Sequence, residues 1–552
     1  MTKKKGDLLA PNDPPIETSK PESGPKTEQS SVLRSAFKVA SGTFVSRILG
    51  MFRDILIARY LGTDMRDAFI NAFRLPNLFR RVFGEGSLSV SFVPRLIHTL
   101  HGRGPEDREV RELIAGVFAV LMSATVTLTL LAEVFMPEIL HFLLSGASYM
   151  SVPGKFELTV QLGRVMFAFL ILISAYSFFM AVLASLGRFA LAALAPALFN
   201  AVMIIGAVQS QRFNFPANVL AWSVLLGGFV QMLVLVPSVV AAGFFPRLRL
   251  VRLSPEVKQV LLAFLPGAFS LSVLQLSAIV NMRFAAELES GTHSYLYLAD
   301  RILELPVSLV AVSLGTVLLP TLAGHWANGQ TSRISEAINH ALRMAFFISI
   351  PAAVGMAMLA KPIAQILFMG KEFTYFNAMI TASVIRIFSL SVLLAVPIRI
   401  LAQGFYAAHR AWFPALAAAI ALLVQALFAA VLIRNFGIEG LASASVIGLF
   451  FNAALLGGVF NARLAKIHLR NLLIFSLKLS IGAGFVAAVT TAYGPLSHYC
   501  VGRVPAARTL SLVAVIVVAA TGYFVIAAAM KLEEWRELSR PFVERLRRLF
   551  FE

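Results

Sequence analysis

The sequence has one cysteine, Cys500, which excludes an internal disulfide and any cysteine-built metal cluster. It has no Gly-x-x-x-x-Gly-Lys run to cradle a nucleotide and no His-Glu-x-x-His pair to hold zinc, and its nine histidines are scattered. Disulfide redox, nucleotide-driven and zinc chemistry therefore lack their residues. The chain reads as a non-enzyme without cofactor or metal, drawing its energy from a gradient or a potential. Charge is scarce as well: 14% of the 552 residues are charged and 58% are hydrophobic, more apolar surface than a soluble fold of this length buries. Acid is scarcest, with 29 Asp and Glu against 48 Lys and Arg.

Long apolar runs take the place of what is missing. Fourteen, each about 20 residues or more, fall near 35–60, 66–101, 110–145, 155–187, 191–209, 218–243, 255–288, 292–324, 332–369, 374–408, 411–434, 438–463, 470–492 and 505–530. Runs of this length without polar alternation are helices, because backbone facing lipid must bond within its own segment. The expected fold is an all-α membrane protein: about fourteen transmembrane helices in two pseudo-symmetric six-helix lobes around a central cavity, plus two C-terminal helices.

A net charge of +19 suggests nucleic acid in a soluble protein, but here the charges sit in alternate loops. Arg103, Arg108 and Arg111, then Arg188, then Arg247, Arg249 and Arg252, then Arg333, Arg410, Arg463, Lys466 and Arg470 mark every second connection, whereas Glu287–Ser294 contains no Lys or Arg. The positive-inside rule then puts both termini in the cytoplasm, and nucleic acid is not expected as a partner. Residues 1–33, rich in Pro, Ser, Lys and Glu, read as a disordered cytoplasmic tail. Residues 34–243 form an N-lobe, 255–463 a C-lobe, and 470–530 two further helices. Residues 531–552 form an amphipathic cytoplasmic tail, read as an interfacial helix held by anionic lipid.

The two halves echo each other. Leu220, Ala221, Gly227 and Gln231 recur as Leu441, Ala442, Gly448 and Asn452, and Pro196-Ala197-Leu198 recurs as Pro414-Ala415-Leu416. Lobes of six spans each share one orientation, which leaves a cleft between them.

Arginine inside an apolar span costs about 2.5–3.5 kcal/mol on insertion scales and by default has a task. Span 1 carries Arg47, Arg53 and Asp54. On span 2, Asp67, Asn71, Arg74, Arg81 and Glu85 fall on one helical face, with Arg80 beside them. On span 8, Tyr297, Arg301, Glu304 and Ser308 form a similar stripe, with Asp300 alongside. Internal ion pairs, such as Arg47 with Asp54 or Arg301 with Glu304, are the structural alternative. Arginines nonetheless outnumber the acids near them, which implies an anionic ligand, phosphate or carboxylate, that suits the guanidinium fork. The acids Asp54, Asp67, Glu85, Asp300 and Glu304 are assigned to gating or ion pairing.

Ser46–Asp54, the run Asp67-Ala-Phe-Ile-Asn-Ala-Phe-Arg-Leu-Pro-Asn-Leu-Phe-Arg-Arg81, Glu85-Gly86 with Phe92-Val93-Pro94, Ala299–Pro306 with Leu314-Gly315-Thr316, and Gly404-Phe-Tyr406 resemble the MurJ/MviN family of bacterial lipid II flippases over nearly the whole chain after the tail. The resemblance implies the multidrug/oligosaccharidyl-lipid/polysaccharide exporter fold and alternating access in the bacterial inner membrane. It also implies a cargo of undecaprenyl-pyrophosphate-linked disaccharide pentapeptide, moved outward for peptidoglycan synthesis. Arg47, Arg53 and Arg301 then match cavity arginines that engage pyrophosphate, Arg74 and Arg81 match further sensitive positions, and spans 13 and 14 form a groove for the polyprenyl tail. Membrane lipids and cell-wall synthesis enzymes are the other partners implied. Some members hold sodium with acids in the second lobe. Here span 7 offers Asn281 and span 11 has no acid, so the membrane potential stands as the alternative to a monovalent cation. The rival readings are an exporter of another polyprenyl-linked oligosaccharide or of drug-like compounds, and a membrane scaffold for cell-wall enzymes.

Overall fold

The computed structural model describes residues 25–84, 87–246, 254–500 and 506–540. Every regular element among them is helical. In the first half, α1 (Pro25–Tyr60) is followed by α2 (Thr63–Gly84) and α3 (Ser87–Leu100). Next come α4 (Arg108–Leu144), the short α5 (Ala147–Met150), α6 (Lys155–Phe167) with α7 (Phe169–Ser185), α8 (Ala190–Gln209), and α9 (Pro216–Leu233) with α10 (Val236–Ala241). The second half runs α11 (Pro255–Ala285), α12 (Thr292–Ala327), α13 (Thr331–Met358) with α14 (Ala360–Phe368), α15 (Tyr375–Ala407) and α16 (Trp412–Arg463). After it come α17 (Leu469–Thr491), α18 (Tyr493–Cys500) and α19 (Ala507–Ala529).

Nine helices among the described residues are long and apolar enough to cross a membrane. One of them, α16, is two spans joined at Gly437, whose φ of 52° and ψ of −129° lie outside helical space. The break falls between the two expected runs, 411–434 and 438–463, and only glycine adopts that backbone without strain. Gly437→Ala is expected to cost about 1–3 kcal/mol, read as a lower thermal midpoint in detergent. Gly458→Ala, at a helical site with nothing within 4 Å of the added carbon, should leave the midpoint unchanged or raise it.

Helix α1 begins at Pro25, inside the stretch expected to be tail. Proline suits a first helical turn, and the turns behind it extend the span. Apolar packing divides into two main cores, one drawn from Leu56 to Ala286 and one mostly from Ala285 to Leu472. A third joins α17 and α19 to Phe347 of α13. All eight echoed residues, Leu220 to Gln231 and Leu441 to Asn452, are buried. The echoed glycines do one job twice. A β-carbon on Gly227 would stand 2.9 Å from Phe199 of α8, and one on Gly448 would stand 2.9 Å from Gln425, one span earlier in α16.

The described part of the C-terminal segment packs against α13 and α19. Glu534 is fully buried 2.7 Å from Arg343 of α13, the exposed Glu537 lies 3.0 Å from His340, and Trp535 stacks on Phe524 at 5.0 Å. Phe542, Leu546, Leu549 and the arginines among them lie outside the described residues.

Candidate functional site: a basic cavity closed at one end

The turns Tyr60–Thr63, Leu144–Lys155, Ala285–Thr292 and Phe368–Tyr375 gather at one end of the bundle, called here the Tyr60 end. Contacts there, both between the two halves and within the first, use backbone carbonyls at helix C-termini, which lack partners in their own helix. Arg59 donates to the carbonyls of Ile366 and Leu367 at 2.7 and 2.9 Å, closing the last turn of α14. Arg66, wholly buried, donates to the carbonyls of Ala58 and Leu61 at the end of α1, with its guanidinium 4.7 Å over the Phe373 ring. Gly146 presses on Ala286 so closely that a β-carbon would stand 2.2 Å from its carbonyl carbon.

Asp67 is the centre of this seal. Fully buried on α2, it accepts hydrogen bonds from the backbone N–H of Gly291 at 2.7 Å and of Ser294 at 3.0 Å, and it meets the Lys155 ammonium at 3.0 Å. Gly291 is the N-cap of α12, has φ +96° and supplies no side chain to satisfy the first turn. A carboxylate from the other half therefore caps α12, where the helix N-terminus favours negative charge. Lys155 also reaches Ser290 at 2.7 Å and Asp64 at 2.9 Å.

One and a half to two turns further in lies a network that joins the halves. Asp54 accepts from Arg53 at 2.8 and 3.0 Å, and its other oxygen meets Arg301 at 3.0 Å. Arg301 reaches Glu304 at 2.8 Å and the Tyr297 hydroxyl at 2.9 Å, and Tyr297 donates to Asp54 at 3.3 Å. Arg53 also donates to Asn200 of α8 at 3.0 Å, and Asn200 in turn donates to the Ser46 carbonyl at 2.9 Å. The Arg301–Glu304 pair forms as the sequence suggests. Asp54 is held by Arg53 and Arg301 rather than by Arg47, which lies two helical turns away, about 10 Å along α1.

This network is the apex of a cavity of about 1000 Å³ that extends away from the Tyr60 end. Its walls carry six arginines, Arg47, Arg53, Arg80, Arg188, Arg301 and Arg399, and two carboxylates, Asp54 and Glu304. The two carboxylates are engaged by Arg53 and Arg301 at the apex, and arginines outnumber carboxylates on the walls by six to two. Arg80 is steadied by Asn77 at 2.9 Å.

Of the remaining expected residues, Arg74 is outside the walls of this cavity and donates from α2 to the Ala278 carbonyl of α11 at 3.0 Å. Asp67 belongs to the seal. Asp300 is exposed and does not line the cavity. Glu85 and the side chain of Arg81 lie outside the described residues. Sequence reasoning missed Arg188 and Arg399: the first had been read as a loop charge that reports topology, the second passed over inside an apolar run. The intramembrane-arginine criterion that singled out Arg47 would have found Arg399.

In the second half, Ser277 donates to Gln425 at 2.7 Å, and Gln425 donates to Asn281 at 2.9 Å and Ser445 at 3.3 Å. These uncharged groups satisfy one another.

Residues 57–507 match the family model described as lipid II flippase MurJ. A protein of Bdellovibrio bacteriovorus named as a probable lipid II flippase MurJ is 38% identical over 520 residues, covering 94% of this chain and 98% of that one. The lipid II flippase MurJ of Burkholderia cenocepacia is 32% identical, covering 77% of this chain and 83% of its own length. A solved lipid II flippase MurJ in an inward closed conformation superposes with a TM-score of 0.72 at 22% identity, covering 92% of this chain and 99% of the other. An inward-facing multidrug MATE transporter gives 0.66 at 16% identity, over 80% of this chain and 99% of the other. At these identities the two structures establish the fold alone, a multi-pass bundle of α-helices.

Proposed function

The chain belongs to the MurJ family of lipid II flippases, and from that premise we propose that it carries lipid II across the bacterial inner membrane by alternating access. The cargo moves from the cytoplasmic to the outer leaflet, and the work is transport rather than catalysis. The observation that carries this reading is the cavity: six arginines and two carboxylates between two lobes, with its apex beneath a seal. An anion the size of a pyrophosphate finds guanidinium forks on both lobes there. A cavity for cationic drugs would present excess acid instead, so the drug-export alternative is disfavoured.

Orientation follows from the loops. The connections remote from the Tyr60 end hold the arginine clusters from Arg103 to Arg470, and Glu287–Ser294 at the Tyr60 end holds no Lys or Arg. The positive-inside rule therefore places both termini in the cytoplasm and the Asp67 seal on the outer side. In this conformation the cavity serves the cytoplasmic leaflet. Arg47, Arg53 and Arg301 bind the pyrophosphate, and Asp54 and Glu304 hold the forks when cargo is absent. An inside-negative potential helps a negatively charged cargo outward, by about 2.3 kcal/mol per charge per 100 mV. The neutral Ser277–Asn281–Gln425–Ser445 cluster is consistent with such coupling.

The test is replacement of the resident flippase in a depleted bacterium. Expression of this chain should restore growth and clear lipid II from the cytoplasmic leaflet. Lipid II that stays on that leaflet while the protein is correctly inserted would overturn the reading.

A further inference from the structure

Four of the cavity's six arginines fall into two pairs. Arg53 and Arg301, one from each half, make the apex pair and share two carboxylates. Arg188 and Arg399 make a second pair, again one from each half, and line the same cavity.

Helix geometry places this second pair. Asn200 of α8 holds Arg53 at 3.0 Å, and Arg188 sits in the turn just before α8, twelve positions ahead of Asn200. At the helical rise that is about 15–18 Å from the apex. In the other half, Tyr295 of α12 meets Asn377 of α15 at 2.8 Å, which aligns the starts of two helices that run in the same direction. Arg301 lies six positions beyond Tyr295, and Arg399 twenty-two beyond Asn377. Arg399 is therefore about 20–24 Å further along than Arg301. The two routes put both arginines roughly 15–24 Å from the apex, toward the far part of the cavity, one contributed by each half.

A pyrophosphate occupies only one of these positions. A cargo that uses both carries a second anionic group about 20 Å from the first. A stem peptide of five residues, attached through its amino end, reaches at most about 17 Å when extended and ends in a carboxylate, and the sugar between peptide and pyrophosphate adds the remainder. We propose that Arg188 and Arg399 are specificity residues that receive the carboxylate end of the stem peptide while the apex pair holds the pyrophosphate. The assignment rests on the flippase reading. It makes the protein a gauge of headgroup length, reading the peptide at one arginine pair and the phosphates at the other.

The experiment measures binding of two lipids to the purified full chain in lipid nanodiscs: lipid II, and undecaprenyl pyrophosphate, which lacks sugars and peptide. The variants are Arg188→Gln, Arg399→Gln and the double substitution. Arg188 is exposed, so its single variant should keep the fold whatever Arg399 does. Wild type should prefer lipid II. The double variant should lose about ten- to hundred-fold in affinity for lipid II, the worth of charge-assisted hydrogen bonds, while undecaprenyl pyrophosphate binds within about two-fold of wild type. Lipid II with an amidated terminal carboxylate should bind wild type as weakly as lipid II binds the double variant. Equal losses for both lipids would make the pair a general electrostatic attractor and overturn the assignment, as would no loss for either. If wild type binds neither lipid, the flippase reading itself fails, an outcome separable from these.

Discussion

Asp67→Ala is expected to open the Tyr60 end and to cost about 3–5 kcal/mol, the usual scale for removing one partner from a buried ion pair. The carboxylate does two jobs, of which no neighbour can take over the first and Asp64 shares only part of the second. It satisfies the first N–H groups of α12, whose N-cap is a glycine, and it neutralises a buried Lys155. Asp67→Asn keeps the shape but gives up the charge, so its loss should be intermediate. Lys155→Met should cost least, because Asp67 then keeps its bonds from Gly291 and Ser294, and the methionine stem fills the same space. Thermal midpoints in detergent should therefore fall in the order Asp67→Ala, Asp67→Asn, Lys155→Met, with the first lowest. Combining Asp67→Asn with Lys155→Met should cost less than the sum of the two, since each removes the same interaction. A cysteine at Asn77 inside the cavity, in a Cys500→Ser background, reports the seal. A membrane-impermeant thiol reagent applied from outside should label it several-fold faster once Asp67 is alanine. If labelling is unchanged and the midpoints coincide, Asp67 does not hold the seal.

Sequence revealed the spans more readily than the site. Apolar runs located the nine helices among the described residues that are long and apolar enough to cross a membrane, including the break at Gly437, because the bilayer imposes a length and forbids unsatisfied backbone. Echoed glycines and amides pointed to two similar halves because close helix contacts demand the same small residues in both. Charge was harder to read. Arg66 and Arg74 share a helix and a residue type, yet both serve backbone carbonyls, one at the end of α1 and one on α11. Arg53 on α1 serves a carboxylate. Sequence spacing fixes which face a side chain leaves from, not which acceptor meets it. Arg188 illustrates the converse: a residue in a turn between helices can still line a cavity.

The apex offers the second large effect. Arg301→Ala should abolish rescue of a flippase-depleted bacterium while the protein still inserts and folds. Each member of the network retains another partner when one is removed. Without Arg301, Asp54 still holds Arg53, and Glu304 lies at the cavity wall where water can reach it. Without Asp54, Arg53 still holds Asn200 and Arg301 still holds Glu304. Loss of function in these variants is therefore not a folding defect, and an unchanged thermal midpoint checks this. Arg301→Lys should also fail, because one ammonium cannot meet Tyr297, Asp54 and Glu304 in the geometry of a planar fork. Asp54→Asn separates binding from release. In the cargo-free state the carboxylate occupies the guanidinium forks that a pyrophosphate would take, so it competes with the cargo. Its removal should tighten lipid II binding several-fold and slow transport by about ten-fold or more, since a change of about 1.4 kcal/mol in either step is a factor of ten. If Asp54→Asn instead weakens binding and slows transport together, the carboxylate orients the arginines toward the cargo rather than standing in for it.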